Sequence, residues 1–280
     1  MRGSPGDREV LRHGGTDDRA NRVSVAVIIP NRNMAATLHK SLGSACHQGP
    51  DEVVVIDDAS TDDSLAVVEY WASRFPCVRL IRHKEKTPCH LEAMRDAYES
   101  VSRRHIIALS ADDILLPGLV TAIRWHIESP VVFTTYDVVR PDGSHIHAVS
   151  QDVSQPCSMT PDSVRERLQS GRNATETGIG SSLRSDVAAW LWRHRWQDMG
   201  PHMDSIGYAA AAAIHGATYL PITGAAYRMT ESSYGRDSVN TQEKALHWAK
   251  RCHAFLARAG VDDETSDALI MKRCVVRVGR

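Results

Sequence analysis

Residues 53–63 read VVVIDDASTDD. The β-branched residues Val53 to Ile56 form an apolar run that suits a strand covered on both faces. Two carboxylates, Asp57 and Asp58, end the run, and Leu65, Val68 and Trp71 follow at helical spacing. The pattern repeats outward in both directions. On the N-terminal side, Val23–Ile29 (VSVAVII) is a strand closed by Pro30, and Met34, Leu38, Leu42 and Ala45 mark a helix ending near Gly49-Pro50. On the C-terminal side, Val78–Ile81 is a shorter strand. Leu91, Met94, Tyr98 and Val101 mark a helix, His105–Leu109 a fourth strand, and Leu119–Ile127 a further helix.

Strands alternating with helices predict a mainly parallel, Rossmann-like sheet with helices on both faces. In such sheets ligands bind beyond the carboxyl ends of the strands. Pro30-Asn31, Asp57-Asp58 and Asp112-Asp113 each stand just past such an end, so they are expected to line one rim. Each has a local alternative. Asp112 and Asp113 suit a divalent cation such as Mg²⁺ or Mn²⁺, which takes oxygen ligands, and equally the turn before a helix. Asp57 and Asp58, which only accept hydrogen bonds when ionised, suit a base N–H or a ribose hydroxyl, and equally a helix cap. Asn31 and Asn33 suit the closing of a turn or contact with a nucleotide.

The second half reads differently. Val131–Val139, a turn at Pro141-Asp142-Gly143 and His145–Val149 predict a hairpin. Thr160-Pro161 opens a short helix that Gly171 ends. Residues 172–182 (RNATETGIGSS) read as a loop over the site. Asp204–His215 is an alanine-rich helix stopped by Gly216, followed by two short strands near Tyr219 and Tyr227. Ser238–Ala259 and Glu264–Arg273 read as terminal helices. The expected division is an unstructured extension over 1–22, a ligand-binding half over 23–130, a second half over 131–237 and helices over 238–280.

The chain has 280 residues, enough for a sizeable core, and 33 basic side chains against 34 acidic ones. That balance gives no footprint for nucleic acid or an anionic membrane. No apolar run reaches a membrane span, and the N-terminus lacks a signal-peptide core. The six cysteines include no C-x-x-C pair and read as reduced cytosolic thiols. The Asn173-Ala174-Thr175 sequon is given no role. His145 and His147 alternate on a strand, and Trp190, Trp192 and Trp196 cluster; exposed strand residues and core packing are the respective readings preferred over a metal pair and a sugar-stacking platform.

Taken together, VSVAVIIPNRN, VVVIDDASTDD and IIALSADDILLPG resemble the family 2 glycosyltransferases, whose usual patterns are IIPxYN, VVDDGSTD and FLDxDD…PG. The resemblance covers about residues 23–128. It implies a single GT-A-type domain with a smaller acceptor-side half, and an inverting enzyme that uses a nucleoside-diphosphate sugar. It assigns the nucleoside pocket to Pro30 and Asn31, the base or ribose contact to Asp58 with Asp57 beside it, and the cation and diphosphate to Asp112, with Asp113 as a further cation ligand; Asn33 joins the nucleotide-binding candidates, as does Ser110, which can bond a ribose or a metal-bound water. The implied cofactor is Mn²⁺ or Mg²⁺. The implied partners are the donor and a sugar-bearing acceptor in bacterial glycan, glycolipid or secondary-metabolite synthesis, with no nucleic acid and no integral span. The expected location is the cytoplasm, with peripheral contact to the inner membrane left open.

Three departures stand out: Ser110 replaces the first Asp of D-x-D, Arg32 replaces the Tyr of the first motif, and Ala93-Met94-Arg95-Asp96-Ala97 replaces ARNxG. The family's base lies in an "ED" pair opening a helix that ends in Gly, with "YR" after it. Met203-Asp204, Gly216 and Tyr227-Arg228 follow that layout, so Asp204 is the expected base, with N-capping as its alternative and Asp198 and Glu176 as runners-up. Thr230 stands where the family often has a metal-binding His. Rival readings are a catalytically inactive nucleotide-binding or scaffold module, and a sugar-phosphate nucleotidyltransferase. The latter needs a glycine-rich phosphate loop after the first strand, and PNRNMAAT has no glycine.

Overall fold

The computed structural model describes residues 9–10, 23–87, 90–150, 152–171, 177–229 and 241–274. The strands are β1 (Glu9–Val10), β2 (Val25–Asn31), β3 (Glu52–Asp58), β4 (Val78–His83), β5 (His105–Ala108), β6 (Ile114–Leu115), β7 (Val131–Val139), β8 (His145–Val149), β9 (Cys157–Met159), β10 (Ser182–Arg184) and β11 (Ala217–Arg228). The helices are α1 (Ala35–Cys46), α2 (Ser64–Ala72), α3 (His90–Ser100), α4 (Leu119–Trp125), α5 (Pro161–Gln169), α6 (Ser185–Arg193), α7 (Met203–His215), α8 (Gln242–Ala259) and α9 (Asp263–Arg273), with a 3₁₀ turn at Trp196–His202.

One sheet runs in the order β1-β4-β3-β2-β5-β10-β7-β11-β6, with β8 on β7 and β9 on β11. Strands β4, β3, β2 and β5 are parallel. β10 is antiparallel to both β5 and β7, and β11 runs parallel to β7. Two reversals restore the original direction. The carboxyl ends of β2, β3, β5, β7 and β11 therefore share one edge.

Alternation along the strands explains the two layers. Val25, Val27 and Ile29 pack with Leu38 and Leu42 of α1 on one face; Ile28, Val54 and Ile56 pack with Ala93 and Ala97 of α3 on the other. Both clusters are fully apolar where they meet β2 and β3, as the unbroken runs of those strands required. Thr160 caps α5, its hydroxyl accepting from Ser163 N at 3.3 Å, with Pro161 in the first turn.

Several expectations change. The region read as two strands near Tyr219 and Tyr227 is one strand, β11, whose pairing with β7 shifts register between Tyr219 and Thr223 and again between Thr223 and Ala225. Pro221 and Gly224 mimic a break in sequence; in the fold they sit at irregularities of a continuous strand. The end of the 172–182 loop folds as β10, and Ile114–Leu115 pairs with β11 rather than lying in a plain turn. Within the stretch read as unstructured, Glu9–Val10 pairs antiparallel with β4; the rest of 1–22 lies outside the described residues, as do the sequon and Ser238 to Asn240. Among the described residues no helix is long and apolar enough to cross a membrane, and Cys46, Cys77, Cys157, Cys252 and Cys274 are free thiols.

Candidate active site

The loops after β2 and β3 are laced together. Asn31 Nδ2 donates to Asp57 Oδ1 at 2.8 Å and to Ser60 Oγ at 3.2 Å. Asp57 Oδ2 accepts from Ser60 N at 3.0 Å, and Asp57 is fully buried. Arg32 Nη1 donates to Asp58 O, Asn33 N to Ser60 Oγ, and Thr61 N to Asn33 Oδ1. Asn33 and Ala59 both adopt left-handed backbone, at φ 53° and 55°. Ala59 stands where the family's usual pattern has glycine, which carries that φ without the Cβ clash. Asp57 and Asn33 therefore shape the rim. Asn31 is 3% exposed, and its Oδ1 is buried with no hydrogen-bond partner. Such an acceptor costs free energy unless a ligand donor meets it.

Asp58 also has partners inside the protein. Its Oδ1 accepts from Thr87 N at 2.8 Å and its Oδ2 from Thr87 Oγ1 at 3.0 Å. His83 Nδ1 lies 3.4 Å from Oδ1, and His83 Nε2 lies 3.1 Å from Asp96 Oδ2. An ionised carboxylate has about four lone-pair sites, so capacity for a ligand donor remains.

After β5, Ser110 is exposed, Asp112 half-buried and Asp113 buried. Asp113, expected beside Asp112 on a cation, also braces the fold: its Oδ1 accepts from Arg228 N at 2.8 Å, and its carbonyl accepts from Ser41 Oγ at 2.6 Å. Burial, reinforced by the neighbouring Asp112, pushes the Asp113 carboxyl up to about 8. Burial also raises Asp112, against the pull of Arg228. Arg228 ends β11, is 7% exposed, and keeps a buried Nε with no partner. The end of β5 and the end of β11 thus meet in one cluster of charge.

Asp204 is the second residue of α7. The residue capping that helix is His202, without a side-chain hydrogen bond, so Asp204 does not act as the N-cap. Asp204 is exposed, and Met203, in place of the expected Glu, is buried. A glycine saddle connects Asp204 to the sheet. A Cβ at Gly178 would lie 3.1 Å from the Tyr208 ring and 3.4 Å from Asp204 Cβ. At Gly180, with φ 63°, it would lie 2.8 Å from Thr134 Oγ1 and 3.1 Å from Ala225 Cβ. Thr134 Oγ1 donates to Gly180 O at 2.7 Å, and Ala225 pairs with Leu115, two residues past Asp113. Of the runner-up bases, Asp198 is held in ion pairs with Arg195 and Arg258, and Glu176 lies outside the described residues, as does Thr230.

Trp196 is buried and donates its indole N–H to Met203 O, a core role. His145 and His147 are exposed, with His145 Nε2 3.5 Å from Asp137. Among the described residues no group of three or more His, Cys, Asp or Glu side chains is placed to hold a metal ion by itself. His83 and Thr87 were missed by the motif reading. Neither stands at a strand end in any expected pattern, and only Asp96, inside the ARNxG departure, hinted at this corner.

Residues 26–193 match the family described as glycosyl transferase family 2. The chain belongs to glycosyl transferase family 2. No curated protein matches it. Among solved structures it is similar to S. aureus TarS 1–349 in complex with UDP-GlcNAc, at 16% identity and a TM-score of 0.62, over 82% of this chain and 66% of that one. The mannosyltransferase PcManGT from Pyrobaculum calidifontis, in complex with GDP-Man and Mn²⁺, aligns at 20% identity and a TM-score of 0.51, over 85% of this chain and 64% of that one. These likenesses establish the fold, a mixed α/β domain of GT-A type with a mostly parallel sheet. The chain spans just under two thirds of these two neighbours.

Proposed function

We propose that this family 2 member transfers a sugar from a nucleoside-diphosphate sugar to an acceptor hydroxyl, with inversion at the anomeric carbon. The observation that supports this most is the shared rim: Asn31, Asp58, Asp112 and Arg228 come from the carboxyl ends of four like-directed strands or the turns after them, and the glycine saddle brings Asp204 to the same region. The nucleotide-bound neighbours are consistent with that use of the fold.

On this reading Pro30 walls the nucleoside pocket, and Asn31 and Asp58 accept from the base or ribose. Ser110, exposed beside them, reaches a ribose hydroxyl. Asp112 and Arg228 flank the diphosphate, and the unpartnered Nε of Arg228 points to a role in binding oxygen. Mg²⁺ and Mn²⁺ commonly bind one or two carboxylates plus substrate phosphates, so Asp112 with the donor's phosphate oxygens fits such an ion. When bound, the ion supplies positive charge to the departing diphosphate. Asp113 holds Arg228 in place rather than adding a ligand.

Transfer is then a single displacement. The acceptor oxygen bonds to the anomeric carbon as the carbon–oxygen bond to the diphosphate breaks, and the electron pair leaves with the phosphate. Asp204 takes the acceptor's proton. The acceptor is proposed to be a sugar of a bacterial glycan, glycolipid or secondary metabolite, met in the cytoplasm or at the inner membrane surface. Ser110 and Met203, where the family has acidic residues, favour a second reading: a nucleotide-binding module without turnover.

Calorimetry of UDP- and GDP-sugars with and without Mn²⁺ tests the first reading. Asp112→Ala is expected to abolish the Mn²⁺-dependent part of binding. Binding unchanged by Mn²⁺ in both proteins removes the metal from the proposal. Sugar release or transfer by the wild type separates the enzyme from the inert module.

A further inference from the structure

His83 ends β4, a strand the rim motifs do not use. Its ring is wedged between two carboxylates from different elements, Asp58 of β3 at 3.4 Å and Asp96 of α3 at 3.1 Å. Among the described residues these are the charged groups that face the ring, one on each nitrogen, and all three side chains are largely buried. Asp58 Oδ1, the atom facing His83, also accepts from Thr87 N, so the carboxylate's orientation is set from two sides. We infer that His83 is a positioning residue for the donor site: its doubly protonated ring ties Asp58 to Asp96 and so fixes the carboxylate that receives the nucleoside. This inference rests on the nucleotide-sugar reading of the rim.

The chemistry follows from the ring's two nitrogens. Imidazolium donates from both, and serves Asp58 and Asp96 together. Neutral imidazole donates from one. The shorter contact, to Asp96, keeps the proton, and Asp58 then faces a lone pair. Thr87 still bonds both oxygens of Asp58, but on Oδ1 the third partner turns from a donor into a lone pair that repels the carboxylate and disturbs the direction in which it receives the nucleoside. Hydrogen bonding and charge from Asp96, then from Asp58, hold His83 above the usual histidine range despite its burial. The charged ring is therefore lost only as pH rises through a value above the ordinary histidine range, and donor affinity should weaken in the same window.

The experiment follows donor KM, kcat and nucleotide dissociation constants for wild type, His83→Gln and His83→Lys between about pH 6 and about pH 8.5, with histidine NMR titration of each protein. In wild type, donor KM should rise about three- to tenfold toward high pH, the scale of one hydrogen bond, while kcat changes less. His83→Gln should show the weaker affinity at every pH, with no such slope. His83→Lys, which keeps a charge throughout, should recover affinity at high pH. An ordinary pKa for the His83 resonance, or a slope shared by wild type and His83→Gln, overturns the inference and leaves the nucleotide reading intact. Failure of wild type to bind UDP- or GDP-sugars at any pH, with His83 still raised, overturns both, and the two failures are told apart by the NMR signal.

Discussion

The two sides of the rim are made in opposite ways. Over 23–130 each polar position follows directly from its own strand, and neighbouring loops lock one another through short hydrogen bonds such as Asn31 to Asp57 and Thr61 to Asn33. Over 131–237 the setting of Asp204 is of another kind. Its place depends on α7, on two glycines of a different segment, and on β7 and β11 behind them. The first side is a local construction repeated along the chain. The second is a single long-range assembly. A rim half that is locally encoded tolerates change elsewhere; a carboxylate set by distant packing does not.

The sharpest way to test this contrast is Asp204→Asn. It is expected to leave nucleotide binding intact and to cut transfer by about 10²- to 10⁴-fold, the usual contribution of a general base. Wild-type turnover by this variant would move the base out of α7 and collapse the distinction between the two sides.

The seam between them offers a second test. His105 of β5 is fully buried, its Nδ1 2.9 Å from Ser182 Oγ of β10 and its Nε2 3.0 Å from Ile127 O. Burial pushes it down to about 4, so the fold holds it neutral. The unfolded chain takes up a proton near its ordinary value, and the folded chain does not. Stability contributed by the neutral ring is thus complete above about pH 6.5 and is lost as pH falls toward about 4, by at most about 3 kcal/mol. Urea unfolding of wild type and His105→Gln across that range should show the slope only in wild type. A slope in both would place the acid sensitivity elsewhere than the seam.

The smallest expected effect belongs to the local side. Ala59→Gly relieves a left-handed φ of 55° and should raise stability by about 0.5–1 kcal/mol, read as a shift in the urea midpoint without loss of nucleotide binding. Destabilisation would mean that the Ala59 methyl group is needed by the rim.

The motif half was legible because each strand carries its own evidence. Ile28, Val54 and Ile56 had to be buried, and the polar residue after each run had to sit at the carboxyl edge. β10 was not legible: Ser182–Arg184 has three residues and no alternation, and it is a strand because the gap between β5 and β7 needs hydrogen-bond partners. Pro221 and Gly224 hid the continuity of β11 for the reverse reason, local signals overridden by pairing along its length. Asp113 looked equivalent to Asp112 in sequence. Only the approach of β11, some hundred residues later, gave it Arg228 N to hold.

The sequence by itself determined the alternation of strand and helix and the place of Asn31, Asp58 and Asp112 at the carboxyl edge, because apolar periodicity and chain direction fix which residues end a parallel strand; Asp204 became a candidate only through the family resemblance. The tertiary structure alone decided which carboxylates brace and which face outward, the union of Arg228 with Asp112 and Asp113, and the capture of Asp58 by His83 and Thr87. Those contacts join residues from different elements, and a side chain's partners across such distances are set by packing, which no local pattern encodes.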